Sequence, residues 1–211
     1  MLERVPAREI AVGVVAATLL LDSAKLAGLV HLSSGEIVVI NIRLLAPLLI
    51  LRFWLVGGLV AMLTDLIDVI VIEFVGMGGF GAHYEQTDKL LDSYYYVLEL
   101  VVALTWTSRW LRVPAALLFA YRLAGALLFE ATGARALLIV FPNLFENWWL
   151  YCVVTLKWFP SLVPASWKGV LLAGAALLAP KLAQEYLLHV AEAEPWDWTK
   201  ERLLEPAGIN F

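Results

Sequence analysis

Long apolar runs dominate this chain, and they are interrupted at intervals by clusters of glycine, proline or charge. The interruptions fall at HLSSGE (31–36), RFWLVGG (52–58), GMGGFGAHYEQ (76–86), SRWLRVP (108–114), ATGAR (131–135) and FPSLVPASWK (159–168). Between them lie apolar segments near 9–31, 36–55, 58–76, 84–107, 113–131, 135–158 and 166–191. Segments of about 20 residues match the thickness of a bilayer core. They lack the two-residue alternation of an outer-membrane strand, and in lipid a helix satisfies all its backbone groups internally. The pattern predicts an all-α, polytopic helical membrane bundle over 1–192 with seven transmembrane helices. Asn41, Arg43 and Arg52 make the second segment a poor span. A bent or interfacial helix in place of a turn at Gly57-Gly58 gives the alternative of six.

Composition moves the picture the same way. Of 211 residues, 62% are hydrophobic and 16% charged, and the mean hydropathy is +0.80, against roughly half apolar and a quarter charged in ordinary soluble domains. A net charge of −4 gives no basic footprint for nucleic acid. Cys152 is the single cysteine, which excludes an internal disulfide and a thiolate cluster. The N-terminal run after Arg8 reads as a retained first span, since Asp22 and Lys25 interrupt the region where a signal peptide would be cleaved.

Positive charges flanking spans favour the cytoplasmic side. Arg4, Arg8, Arg52, Arg109, Arg112, Lys157 and Lys168 share one side of a seven-span arrangement, against Arg135, Lys200 and Arg202 on the other. That places the N-terminus in the cytoplasm and the C-terminus outside. The nine tryptophans, among them Trp106, Trp148, Trp149, Trp158 and Trp167, read as an aromatic belt at the interfaces. Residues 193–211 mix charge with Trp and Leu and read as an amphipathic interfacial tail.

The chemistry lies in ionisable residues inside the apolar runs. A carboxylate at mid-bilayer costs about 2.5 to 3.5 kcal/mol on insertion scales, so it faces helices, a counter-charge or water. Asp65 and Asp68 share one face of the third segment, and Asp88, Asp92, Tyr95 and Glu99 form a stripe on the fourth. Consecutive helices tend to pack together, so the two acidic faces are expected to meet. Crowded like charges require protons or a cation, with Arg122, Arg43 and Lys181 the protein cations available. Arg122, in the middle of the fifth segment, is expected to pair with Asp65, Asp68 or Glu146. Lys181 and Glu185 share a face of the seventh segment with His189, and Glu185 at i+4 offers Lys181 an ion pair. Asn143, Glu146 and Asn147 follow Pro142 in the sixth, where a kink is expected with its freed backbone satisfied locally.

If a metal fills the acidic site, clustered carboxylate oxygens favour a divalent cation such as Mg²⁺, held by Asp65, Asp68, Asp88 and Asp92. Gly76, Gly78 and Gly81 imitate a dinucleotide loop, but without βαβ alternation they read as a close turn between helices. The pairs Asp65-x-x-Asp68 and Asp88-x-x-x-Asp92 resemble the paired aspartates of the CDP-alcohol phosphatidyltransferases over about 30 residues. That resemblance implies a divalent-metal-dependent lipid enzyme. The chain has Val69 and Tyr84 where that family has glycine, and Ile72-Glu73 where it has Ala-Arg.

The expectation is therefore an integral membrane protein, in contact with the bilayer and open to other membrane subunits, with an intramembrane acidic site. The site's expected ligand is a cation, a polar lipid headgroup or a small polar solute. A cation or proton translocator and a non-catalytic subunit of a larger membrane complex are the alternatives.

Overall fold

The computed structural model describes residues 7–29, 31–75, 84–134, 136–189 and Arg202, with the side chains at 66–75, 84–86, 88, 89, 138, 188 and 189 outside the description. The glycine-rich turn read at 76–83 and, Arg202 apart, the tail read at 193–211 lie outside the described residues. Helix α1 spans Ala7–Leu26, and α2 spans Ser34–Leu45 and continues as a 3-10 helix over Ala46–Leu51. Then follow α3 (Trp54–Val75), α4 (Tyr84–Leu104), α5 (Arg109–Thr132), α6 (Ala136–Val140), α7 (Leu144–Trp158), a short 3-10 turn at Pro160–Leu162 and α8 (Trp167–His189). Every element among the described residues is helical.

Local chemistry sets the helix ends. Ser33 caps α2: its Oγ accepts from the Glu36 N–H at 3.1 Å, while the Glu36 carboxylate accepts from the Ser33 N–H at 2.5 Å. This reciprocal box satisfies two orphan donors at once. Pro47 has no N–H to give, and its ring crowds the carbonyl one turn back, so α2 tightens into the 3-10 form at Ala46. Gly133 ends α5 in the left-handed region, at φ 65°, a conformation glycine adopts without a Cβ penalty.

Among the described residues three helical stretches are long and apolar enough to cross a membrane: Ser34–Leu51, Arg109–Thr132 and Trp167–Leu187. Their outward surfaces are apolar, with Leu117, Leu127, Leu171 and Leu172 all exposed. The charged groups of Arg43, Lys181 and Glu185 and the rings of Phe145, Trp148 and Trp149 are buried.

Two readings of the sequence are corrected. Gly57 and Gly58 do not turn the chain but lie within α3. A Cβ on Gly57 would stand 2.1 Å from the Ile50 backbone nitrogen, and one on Gly58 would stand 2.5 Å from the Trp149 ring. These glycines let α3 approach the 3-10 segment and α7, the use small residues have in membrane helix packing. The sixth segment is also not one kinked helix. It is broken into α6 and α7 around Phe141, Pro142 and Asn143.

Helices α4 and α7 form the inner pair. The first packs on α2, α3, α5 and the 3-10 segment, and the second on α3, α5 and α8. Trp106, Trp148 and Trp149 are buried here rather than set at an interface, which removes them from the expected belt. The Trp148 indole N–H donates to the Leu111 carbonyl at 3.2 Å, and that of Trp149 to the Glu99 carbonyl at 2.9 Å. Trp158 and Trp167 are exposed.

Candidate functional site

One aspartate of α3, Asp65, and one of α4, Asp92, are brought together by Arg43 of α2. Its side chain is only 3% exposed, and its Nη2 lies 2.5 Å from Asp65 Oδ1 and 2.5 Å from Asp92 Oδ1. Where the sequence called for a cation among these aspartates, the chain supplies a guanidinium, whose planar donor fork suits carboxylates. Arg43, one of the three residues expected to make the second segment a poor span, is met within the fold, and Ser34–Leu51 is apolar enough to cross a membrane. Tyr94 holds the same helices in register, its hydroxyl donating to the Leu44 carbonyl at 2.9 Å. The side chains of Asp68 and Asp88 lie outside the description, so their part in the expected Mg²⁺ set does as well. Among the described residues no group of three His, Cys, Asp or Glu side chains is placed to hold a metal ion.

The break between α6 and α7 is the second half of the site. Non-helical backbone at membrane depth persists where protein groups satisfy it or where it lines a cavity. The Phe141 carbonyl accepts from Arg122 Nη1 of α5 at 3.2 Å, and the Asn143 N–H donates to Glu185 Oε1 of α8 at 3.3 Å. The same Glu185 oxygen lies 3.2 Å from Lys181 Nζ, the pair expected from their i, i+4 spacing. Asn143 Nδ2 donates to the Tyr96 hydroxyl at 2.6 Å and to Glu146 Oε2 at 3.1 Å, while the Tyr95 hydroxyl donates to Glu146 Oε1 at 2.5 Å.

Side chains from α4, α5, α7 and α8 therefore converge on three residues of broken helix. The expected local satisfaction of the freed backbone by Asn143, Glu146 and Asn147 is corrected: among the described residues Asn143 and Glu146 bond each other and the α4 tyrosines, and the backbone groups are met from α5 and α8. Of the acids expected to pair with Arg122, Glu146 lies within its electrostatic reach but none among the described residues forms a close ion pair with it, the Asp68 side chain lies outside the description, and the guanidinium holds the Phe141 carbonyl. Tyr96 was missed in the sequence because it lies off the α4 stripe. Its i, i+3 spacing to Glu99 is readable in the sequence, but its bond to Asn143 beside the break depends on how α4 and α7 lie together.

Two further features belong to this interior. Glu99 is fully buried, and among the described residues neither carboxylate oxygen has a hydrogen-bond partner. It is within electrostatic reach of Glu146. Between α4 and α5 a cavity of about 110 Å³ has Asp92, Ser93, Tyr96 and Arg122 at its polar end. Phe119, Leu123, Ala126 and Phe129 of α5 supply most of its apolar wall. Its size approaches that of the roughly 150 Å³ apolar cavity that admits benzene. Leu123 and Val97 are also exposed on the outer surface of these helices, so the cavity borders the outside of the protein.

Of the residues singled out from sequence, Asp65, Asp92, Glu99, Arg122, Glu146, Lys181 and Glu185 all lie in or against this polar interior, in two linked groups: the Arg43 bridge and the broken helix. Comparison with protein-family models, with curated proteins and with solved structures gives no match, so the functional reading rests on this geometry.

Proposed function

We propose that the chain is an integral membrane protein whose interior site binds a small polar solute or a lipid headgroup at the cavity between α4 and α5. The observation that carries this reading is Arg122. It lines the cavity, forms no close ion pair among the described residues although Glu146 lies within its electrostatic reach, and spends one donor on the Phe141 carbonyl. A guanidinium carries five N–H donors, so an anionic or strongly accepting group at the polar end would meet the remainder. Asp92 is held by Arg43, which lessens its repulsion of such a group. The apolar wall would take the ligand's hydrocarbon part.

The test compares two amphiphiles of equal chain length, laurate and dodecyltrimethylammonium, by isothermal titration calorimetry of detergent-solubilised protein. Wild type is expected to prefer laurate, and Arg122→Gln to lose about tenfold of that preference, in line with a charge-assisted hydrogen bond of about 1.5 kcal/mol. Equal preference in the two proteins would dismiss the reading.

One observation favours a second reading, cation or proton translocation: the buried, unpartnered carboxyl of Glu99 beside Glu146. Intramembrane acids of this kind mark proton and ion paths. Liposomes carrying wild-type protein should then dissipate an imposed proton or sodium gradient, and Glu99→Gln should stop it. Flux that is absent in wild type, or unchanged in the variant, removes this alternative.

A further inference from the structure

A second hollow, of about 350 Å³, lies between the start of α3 and the end of α7. It is lined by Arg52 and Lys157 together with Trp54, Leu55, Val153 and Leu156. The two cations come from positions more than a hundred residues apart, yet the fold turns both to one concavity, and among the described residues no acidic one lines it. Among the described residues neither makes an ion pair. Each instead lies by an aromatic ring, with the Arg52 guanidinium 5.8 Å from the Phe53 centroid and Lys157 Nζ 4.7 Å from that of Trp158. Phe53 and Trp158 are themselves exposed.

Lys157 at the end of α7 is also placed to offset the partial negative charge there. That role accounts for one cation but not for Arg52 facing the same hollow. Two cations above apolar walls, with aromatic rings beside them, match the headgroup and upper acyl region of an anionic lipid. Basic pockets between membrane helices on the cytoplasmic side take phosphate-bearing headgroups, and positive charge beside spans marks that side.

We propose that this hollow is a binding site for an anionic phospholipid, its phosphodiester held between Arg52 and Lys157 and its acyl chains laid against Trp54, Leu55, Val153 and Leu156. The inference rests on the membrane reading but not on the ligand proposed for the Arg122 cavity.

The test places the full chain in nanodiscs of phosphatidylcholine or of phosphatidylcholine with phosphatidylglycerol, and follows thermal unfolding and lipid adducts by native mass spectrometry. Phosphatidylglycerol is expected to be retained and to raise the unfolding temperature. The double variant Arg52→Gln/Lys157→Gln should lose about tenfold of the affinity, while Arg109→Gln, at an exposed cation on α5, should keep it. Should the double variant fail to fold, wild type alone decides, since added salt must then weaken phosphatidylglycerol retention. No preference for phosphatidylglycerol over phosphatidylcholine overturns the proposal. So does equal protection by inorganic phosphate, which would mark a site for the free anion. A chain that stays soluble and folded without detergent would instead sink the membrane reading itself.

Discussion

Replacing Arg43 with methionine is expected to destabilise the protein by about 3 kcal/mol, measured as the shift in unfolding free energy in detergent. The change keeps much of the side-chain volume and removes the charge, leaving two aspartates crowded without their counter-charge. Breaking a buried ion pair by deleting one partner typically costs 3–5 kcal/mol. The lower end applies because Asp65 is 36% exposed and solvent screens part of its interaction. The loss belongs to the stranded charges rather than to the bridge, so Asp65→Asn/Asp92→Asn in the Arg43→Met background should recover most of it. If the triple variant is no more stable than the single, Arg43 matters through packing, and the electrostatic account fails.

Replacing Trp149 with alanine is expected to cost a similar amount, about 3 kcal/mol. Its ring fills the space above Gly58 of α3, and its indole N–H holds the Glu99 carbonyl of α4, so one side chain ties three helices together. Truncation of a buried tryptophan costs about 3–5 kcal/mol. The lower end is expected in lipid, where separated helices are not returned to water and the loss is mainly one of packing. Trp149→Phe should cost about 1 kcal/mol, the worth of the missing hydrogen bond. A Trp149→Ala variant within 1 kcal/mol of wild type would show that α3 and α4 are held by other contacts.

The helical class could be read from the length of the apolar runs, and so could much of the site. A charge inside an apolar run is expensive, so Asp65, Asp92, Glu99, Arg122, Lys181 and Glu185 stood out without any alignment. Their partners were harder to read. The i, i+4 spacing named the Lys181–Glu185 pair, because its geometry is local. Arg43 was one of three cations available to the aspartates, and nothing in the pattern could choose among them, since the choice depends on how α2 lies against α3 and α4.

The glycines misled for a related reason. Gly57-Gly58 as a sequence serves equally for a turn and for a tight helix crossing, and Ile50 and Trp149 decide between them from outside the motif. The tryptophans show the limit of a compositional rule. An indole is at home at the membrane interface, and it is equally at home in a core that offers its N–H a carbonyl, as Leu111 and Glu99 do.

The break after α6 also bears on how the molecule is made. The Asn143 N–H is matched by Glu185, 42 residues further along, a side chain not yet synthesised when the break itself leaves the ribosome. Until α8 arrives, that amide must borrow water or the insertion machinery for a partner. The last helix thus completes a joint laid down earlier, and the order of biosynthesis is written into where that hydrogen bond ends.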